Sequence, residues 1–101
     1  EELLPRNTCP LIKSAFGFRL GKACPYIEAS DMIVGENTCD GKKKSYETLR
    51  DLVPKIHIMD IPQVKSDEGR ALLKAEYLRF REAMEEFTGI TIDADRLRNG
   101  I

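Results

Sequence analysis

The sequence predicts an α/β fold: a βαβ unit with parallel strands, followed by a long C-terminal amphipathic helix. Two short apolar runs, Met32-Ile33-Val34 and Ile56-His57-Ile58-Met59, are bounded by turn residues and read as buried strands. A helical pattern lies between them, and a strand–helix–strand order is most economically closed as a right-handed crossover between parallel partners. After the second strand, Leu73, Tyr77, Phe80, Met84 and Phe87 recur at steps of four and three, the period of one helix face.

Each element has its own local signal. Leu11 to Leu20 forms a short helix whose apolar face is Leu11, Ala15, Phe18 and Phe16, weakened by Gly17 and Gly21. Met32–Val34 is the first strand, entered through Ser30-Asp31 and left at Gly35. Asp40 caps a helix reaching about Val53, where Pro54 ends it. The second strand stops at Pro62. Ser66 caps the long helix, with Asp67 and Glu68 in the first turn where the dipole favours anions, and Gly89 closes it. A last short helix starts near Thr91 or Asp93. The apolar stripe of the long helix is expected in the core.

At 101 residues the chain is one small domain, 42% hydrophobic and 33% charged, with net charge −1. That balance gives no basic surface for nucleic acid or an anionic membrane. No apolar run approaches the ~18–20 residues that span a bilayer. The start, Glu1-Glu2-Leu3-Leu4-Pro5-Arg6, lacks the basic and apolar regions of a secretory signal. An odd cysteine count argues against a disulfide framework and for a reducing, cytoplasmic setting. The chain begins close to its first cysteine and stops at Asn99-Gly100-Ile101, and it reads as a fragment of a larger protein.

The cysteines carry the chemistry. Cys9, Cys24 and Cys39 are spaced fifteen residues apart. Cys9-Pro10 and Cys24-Pro25 fix the following backbone and suit sulfur ligands presented from loops. Cys39 opens Cys39-Asp40-Gly41-Lys42-Lys43-Lys44, at the carboxyl end of the first strand, where open α/β sheets bind ligands. A thiol at a helix start is favoured as thiolate, and the alternative is a small buried filler. Gly41 allows close approach of backbone amides to sulfide or an anion. Lys42, Lys43 and Lys44 sit in a first turn that disfavours cations by ~0.3–1 kcal/mol each. They point to an anionic neighbour, such as a metal–sulfur cluster, a phosphate or an acidic protein surface, or else form a solvated basic turn. There is no Cys-x-x-Cys, which disfavours zinc ribbons and ordinary ferredoxins. His57 could complete a Cys₃His zinc site, but in mid-strand it reads as structural. Glu28, Asp31 and Glu36 read as caps and surface groups. There is no triad, P-loop or dinucleotide fingerprint, and no catalytic residue stands out.

Four stretches together resemble one family: Cys9-Pro-Leu-Ile-Lys-Ser-Ala-Phe-Gly-Phe18, Ala23-Cys-Pro-Tyr26, Ser30-Asp-Met-Ile-Val34 and Glu36-Asn-Thr-Cys-Asp-Gly-Lys-Lys-Lys44. They are similar to the 2-hydroxyacyl-CoA dehydratase and benzoyl-CoA reductase family, and most similar to its double-cubane iron–sulfur branch. Asp60-Ile-Pro-Gln63, the helix beginning Gly69-Arg-Ala-Leu72 and Phe87-Thr-Gly-Ile-Thr-Ile92 fit the same pattern. The resemblance implies a piece of a flavodoxin-like (Rossmann-like) α/β domain from a much longer, oxygen-sensitive protein, working as a homodimer or heterodimer. It implies a [4Fe-4S] or double-cubane cofactor, a low-potential electron supply from an ATP-hydrolysing iron–sulfur activator, and a small-molecule or acyl-CoA substrate. Cys9 and Cys39 match the family's common cluster ligands, and Cys24 matches the extra cysteine of the double-cubane branch. The other ligands lie outside this sequence, so the segment is not expected to hold a complete cluster or to be active alone. The double-cubane reductase type leads, ahead of a dehydratase or benzoyl-CoA reductase subunit. Two readings of other classes remain: a zinc-bound or metal-free α/β binding module, and an interaction domain with an exposed Leu73/Tyr77/Phe80 stripe.

Overall fold

A computed structural model describes residues 3–101. The elements are α1 (Pro10–Leu20), α2 (Pro25–Glu28), β1 (Ile33–Glu36), α3 (Asp40–Leu49), β2 (Ile56–Met59), α4 (Asp67–Thr88) and α5 (Ala94–Gly100). They form two compact units, divided between Ile61 and Pro62.

The first unit is the βαβ unit that the sequence predicts. β1 and β2 pair in parallel, with Ile33 opposite Ile56 and Glu36 opposite Met59. The first strand ends later than expected, because Gly35 does not break it. Gly35 stays in the ladder opposite Ile58, and its bare Cα is where the Tyr46 ring of α3 sits. A Cβ there would lie 2.6 Å from Tyr46 Cζ, so the close approach requires glycine. The Tyr46 hydroxyl then donates to the Glu36 carbonyl and accepts from the Glu36 N–H, both at 3.1 Å.

α1 buries Ile12 and Phe16, a step of four, against Leu49 and Val53. The expected face is therefore corrected: Leu11 is 79% exposed, and Phe18 and Leu20 are also exposed. Ile12 and Phe16 are the residues that meet α3, so tertiary contact selected a face that the mixed pattern left open. α3 also differs from expectation. Its N-cap is Cys39, with Asp40 the first helical residue, and it ends at Leu49. The chain then tightens into turns, with Leu52 N–H on the Leu49 carbonyl at 2.9 Å. Val53, which precedes Pro54 and is thereby steered away from helical backbone, drops into the core. Short α2 has no counterpart in the sequence reading, although Pro at its first position and Glu28 in its only turn are a start signal.

In the second unit, Ser66 Oγ accepts from Gly69 N–H at 3.1 Å, and Gly89 at φ 71° closes α4, both as the sequence predicts. Asp93 caps α5 by accepting from Arg96 N–H at 2.8 Å. No helix among the described residues is long and apolar enough to cross a membrane.

Replacing Gly35 with alanine forces the Tyr46 ring off its site and is expected to lower stability by about 1–3 kcal/mol in chemical denaturation. Tyr46→Leu in the same chain should recover part of the loss; equal losses with and without the second change would sink this account.

Candidate metal centre

All three cysteines occupy one kind of position: each is a helix N-cap, Cys9 for α1, Cys24 for α2 and Cys39 for α3. Proline at the first position of α1 and α2 costs nothing, since that amide has no intrahelical partner. An N-cap is normally Ser, Thr, Asp or Asn, whose oxygen accepts from a first-turn amide. Sulfur accepts weakly, and none of the three makes a side-chain cap bond. All are free thiols; Cys9 and Cys39 are exposed and Cys24 is half-buried. Each helix start thus presents a sulfur and unspent amide donors together, a donor set that suits an anionic metal–sulfur group.

The packing of α1 on α3 decides which thiols are neighbours. At their starts, Ile12 Cδ1 lies 3.0 Å from where a Gly41 Cβ would be. At their far ends, Arg19 Nε donates to the Leu52 carbonyl. The two helices therefore run side by side in the same direction, with Cys9 and Cys39 at a common end. Cys24 belongs to the other end, because Ala23 N–H donates to the Phe18 carbonyl at 3.2 Å near the finish of α1. Eleven residues of helix separate the two ends by ~16 Å. Among the described residues, no three of His, Cys, Asp and Glu converge as a ligand group. His57 sits opposite Val34 within the sheet.

The carboxyl edge of the sheet is tied down beside Cys39. Asn37 Nδ2 donates to Asp60, and Asn37 Oδ1 accepts from Ile61 N–H at 3.0 Å, joining the ends of both strands. Glu36 accepts from Thr38 N–H at 2.7 Å and from its hydroxyl, and forms an ion pair with Lys42. The Lys42 ammonium, and after it the Thr38 donors, hold the Glu36 carboxyl at about 2, well below the usual 4.5. Glu36 in turn raises Lys42. Lys42 thus has a resident anion, which the sequence reading missed by placing Glu36 among surface groups. Lys44 pairs with Glu47 at 3.2 Å, while Lys43 is exposed. Gly41 admits Ile12, and Cys39 Sγ lies 3.7 Å from its would-be Cβ.

The second unit holds a different surface. The stripe expected in the core is not buried: Tyr77 is 59% exposed and Phe87 is exposed, while Leu73, Phe80 and Met84 are half-buried. With Ile92 and Leu97 these side chains, Phe87 aside, line an open apolar groove of ≈ 650 Å³. Periodicity marked one face of α4 correctly, but says nothing about whether another element covers it.

Glu36 is a depressed carboxyl, so its contribution to stability is fully present above pH 4.5 and is lost as pH falls toward 2. The stability gap between the native chain and Glu36→Gln is expected to be widest near neutrality and to close between those values. A gap that ignores pH, followed by urea midpoints, would show that the carboxylate charge is not involved.

Comparison with known proteins places the chain. Residues 1–101 match the family described as 2-hydroxyglutaryl-CoA dehydratase, D-component. The YjiM protein of Escherichia coli (strain K12), which carries the name of a dehydratase subunit, is 52% identical over 102 residues. That match covers 100% of this chain and 26% of YjiM, so the chain spans about a quarter of its relative's length. With the cysteines, the βαβ unit and the full-length match in agreement, the chain belongs to the 2-hydroxyglutaryl-CoA dehydratase D-component family.

Proposed function

We propose that this chain is the cysteine-bearing segment of an iron–sulfur redox enzyme of this family, of the double-cubane reductase type. Cys9 and Cys39 hold one cluster and Cys24 serves the second. The observation that carries the reading is the shared construction of the three thiols, each an N-cap whose sulfur is not spent on its helix. The side-by-side starts of α1 and α3 support a common cluster for Cys9 and Cys39. The opposite position of Cys24 supports a separate role for it. Two thiols make part of a cubane's ligand set, and the remaining ligands come from the rest of the parent protein.

When bound, the cluster supplies low-potential electrons and an open iron coordination position. The chain's own residues do the rest. First-turn amides donate toward sulfide, and Gly41 keeps the α3 start close to α1. The Asn37–Asp60 clamp and the Glu36–Lys42 pair fix the loop that carries Cys39. Lys43 and Lys44 are the exposed cations of the lysine run, Lys44 beside Glu47. In this reading the parent is cytoplasmic, dimeric and oxygen-sensitive, charged by an ATP-hydrolysing iron–sulfur activator, and acts on a small-molecule or acyl-CoA substrate. A second reading, a single-cubane 2-hydroxyacyl-CoA dehydratase subunit in which Cys24 is only a helix cap, is favoured by the name of the 52% identical relative.

Iron and acid-labile sulfide per chain of the intact parent, purified without oxygen, separate the two readings. The double-cubane type is expected to hold about eight irons and to lose about half in Cys24→Ser. About four irons, unchanged in Cys24→Ser but lost in Cys39→Ser, would move the protein to the single-cubane dehydratases. No iron in any sample would leave a structural α/β module.

A further inference from the structure

We propose that Arg19 is the positioning residue for Cys24: it holds the short helix α2 in place, and with it the thiol at the helix start. The inference deepens the reading of Cys24 as a ligand set apart from Cys9 and Cys39, and rests on that reading for what the sulfur holds.

α2 cannot hold itself. It is four residues long and buries none of them, well short of the ~12–15 residues at which an isolated helix becomes even marginal in water. Its N-cap, Cys24, makes no side-chain cap bond. The Ser30 hydroxyl donates to the Tyr26 carbonyl at 2.6 Å, which shapes the end of α2 but ties it only to the chain that follows. A group from another element has to fix where this helix points.

Arg19 lies in the last turn of α1 and joins three segments. Its Nε donates to the Leu52 carbonyl, in the turns after α3, and its Nη1 donates to Glu28 Oε1 at 2.7 Å, in α2. The guanidinium is planar, so the two bonds fix each other's direction, and a lysine ammonium offers no such rigid fork. The two side chains of the ion pair are only 27% and 34% exposed. Glu28 carries the constraint on to the cysteine, because its backbone N–H donates to the Cys24 carbonyl at 3.1 Å. The path from α1 to Cys24 is therefore Arg19 guanidinium, Glu28 carboxylate, Glu28 amide and Cys24 carbonyl.

The turn between α1 and α2 bears the same constraint. Ala23 N–H donates to the Phe18 carbonyl at 3.2 Å and Lys22 N–H to the Arg19 carbonyl at 3.4 Å, the paired bonds of a Schellman motif. That motif puts a left-handed residue at position 22, where glycine is usual, yet the residue is Lys22 at φ 49°. Among the described residues it is the sole non-glycine with positive φ. Such backbone persists where its surroundings over-determine it, and it collects at ligand clamps and other functional sites. Here the residue that the turn delivers is Cys24.

The test uses the full-length parent, purified without oxygen. Iodoacetamide labelling is read cysteine by cysteine by peptide mass spectrometry, and iron is counted in the same samples. Arg19→Met keeps the apolar stem and removes the fork. It should speed labelling of Cys24 by about threefold or more while Cys9 and Cys39 stay within about twofold of native. Glu28→Gln should act in the same direction. Arg19→Met/Glu28→Gln should expose Cys24 no more than Arg19→Met alone, as expected of groups in one chain of bonds. Iron should fall as it does in Cys24→Ser, with the same change in the EPR spectrum of the reduced protein. Native protection of Cys24 in Arg19→Met, a rise shared by all three cysteines, or additive effects in the double variant overturns the proposal. So does iron that is lost in Cys24→Ser but kept in Arg19→Met. If Cys24→Ser itself loses no iron, the two-cluster reading falls, and the labelling pattern alone decides whether Arg19 positions Cys24.

Discussion

The first unit depends on one contact, the seating of α1 against α3 through Ile12 and Phe16. Ile12 reaches the bare backbone of Gly41, and Phe16 closes on Leu49 and Val53. Burying these side chains is the main apolar gain available to a unit with only two short strands. Because the contact aligns the helices in the same direction, it also fixes the chemistry: two cysteines that begin two helices come to one end. Had α1 packed antiparallel, Cys9 would lie a helix length from Cys39. The core and the candidate metal centre are therefore consequences of the same packing decision.

The three cysteine helix starts forgo local stability. Cysteine is a poor N-cap, and an oxygen-bearing residue there would stabilise each helix by ~1 kcal/mol. Using sulfur three times forgoes that gain while keeping the thiols and the adjacent amides available. Lys42 shows compensation instead. Its charge opposes the helix dipole, but Glu36, at the end of β1, supplies a local anion and draws the strand end toward the helix start. The sheet edge is then tied down beside Cys39.

The second unit follows another logic. α4 has strong caps at both ends, so its boundaries are locally determined. Its apolar face lies open among the described residues, with Arg70, Lys74 and Arg81 beside it. Local rules form the helix, and what covers it is a separate matter.

The sequence by itself determined the order of the elements apart from α2, the parallel βαβ reading, the caps at Ser66 and Gly89, the start of α5 to within a few residues, and the family through its cysteine stretches. These rest on short-range physics, namely capping, turn chemistry and periodicity, and are legible residue by residue. Tertiary structure decided the rest. It chose Ile12 and Phe16 over Leu11 and Phe18 as the buried face of α1. It carried β1 through Gly35 because the Tyr46 ring occupies the space a Cβ would need. It paired Glu36 with Lys42 and set Cys24 apart from Cys9 and Cys39. It also left the α4 stripe open. Each of these turns on which surfaces meet across long stretches of chain, and periodicity in a single helix carries no information about what lies opposite it.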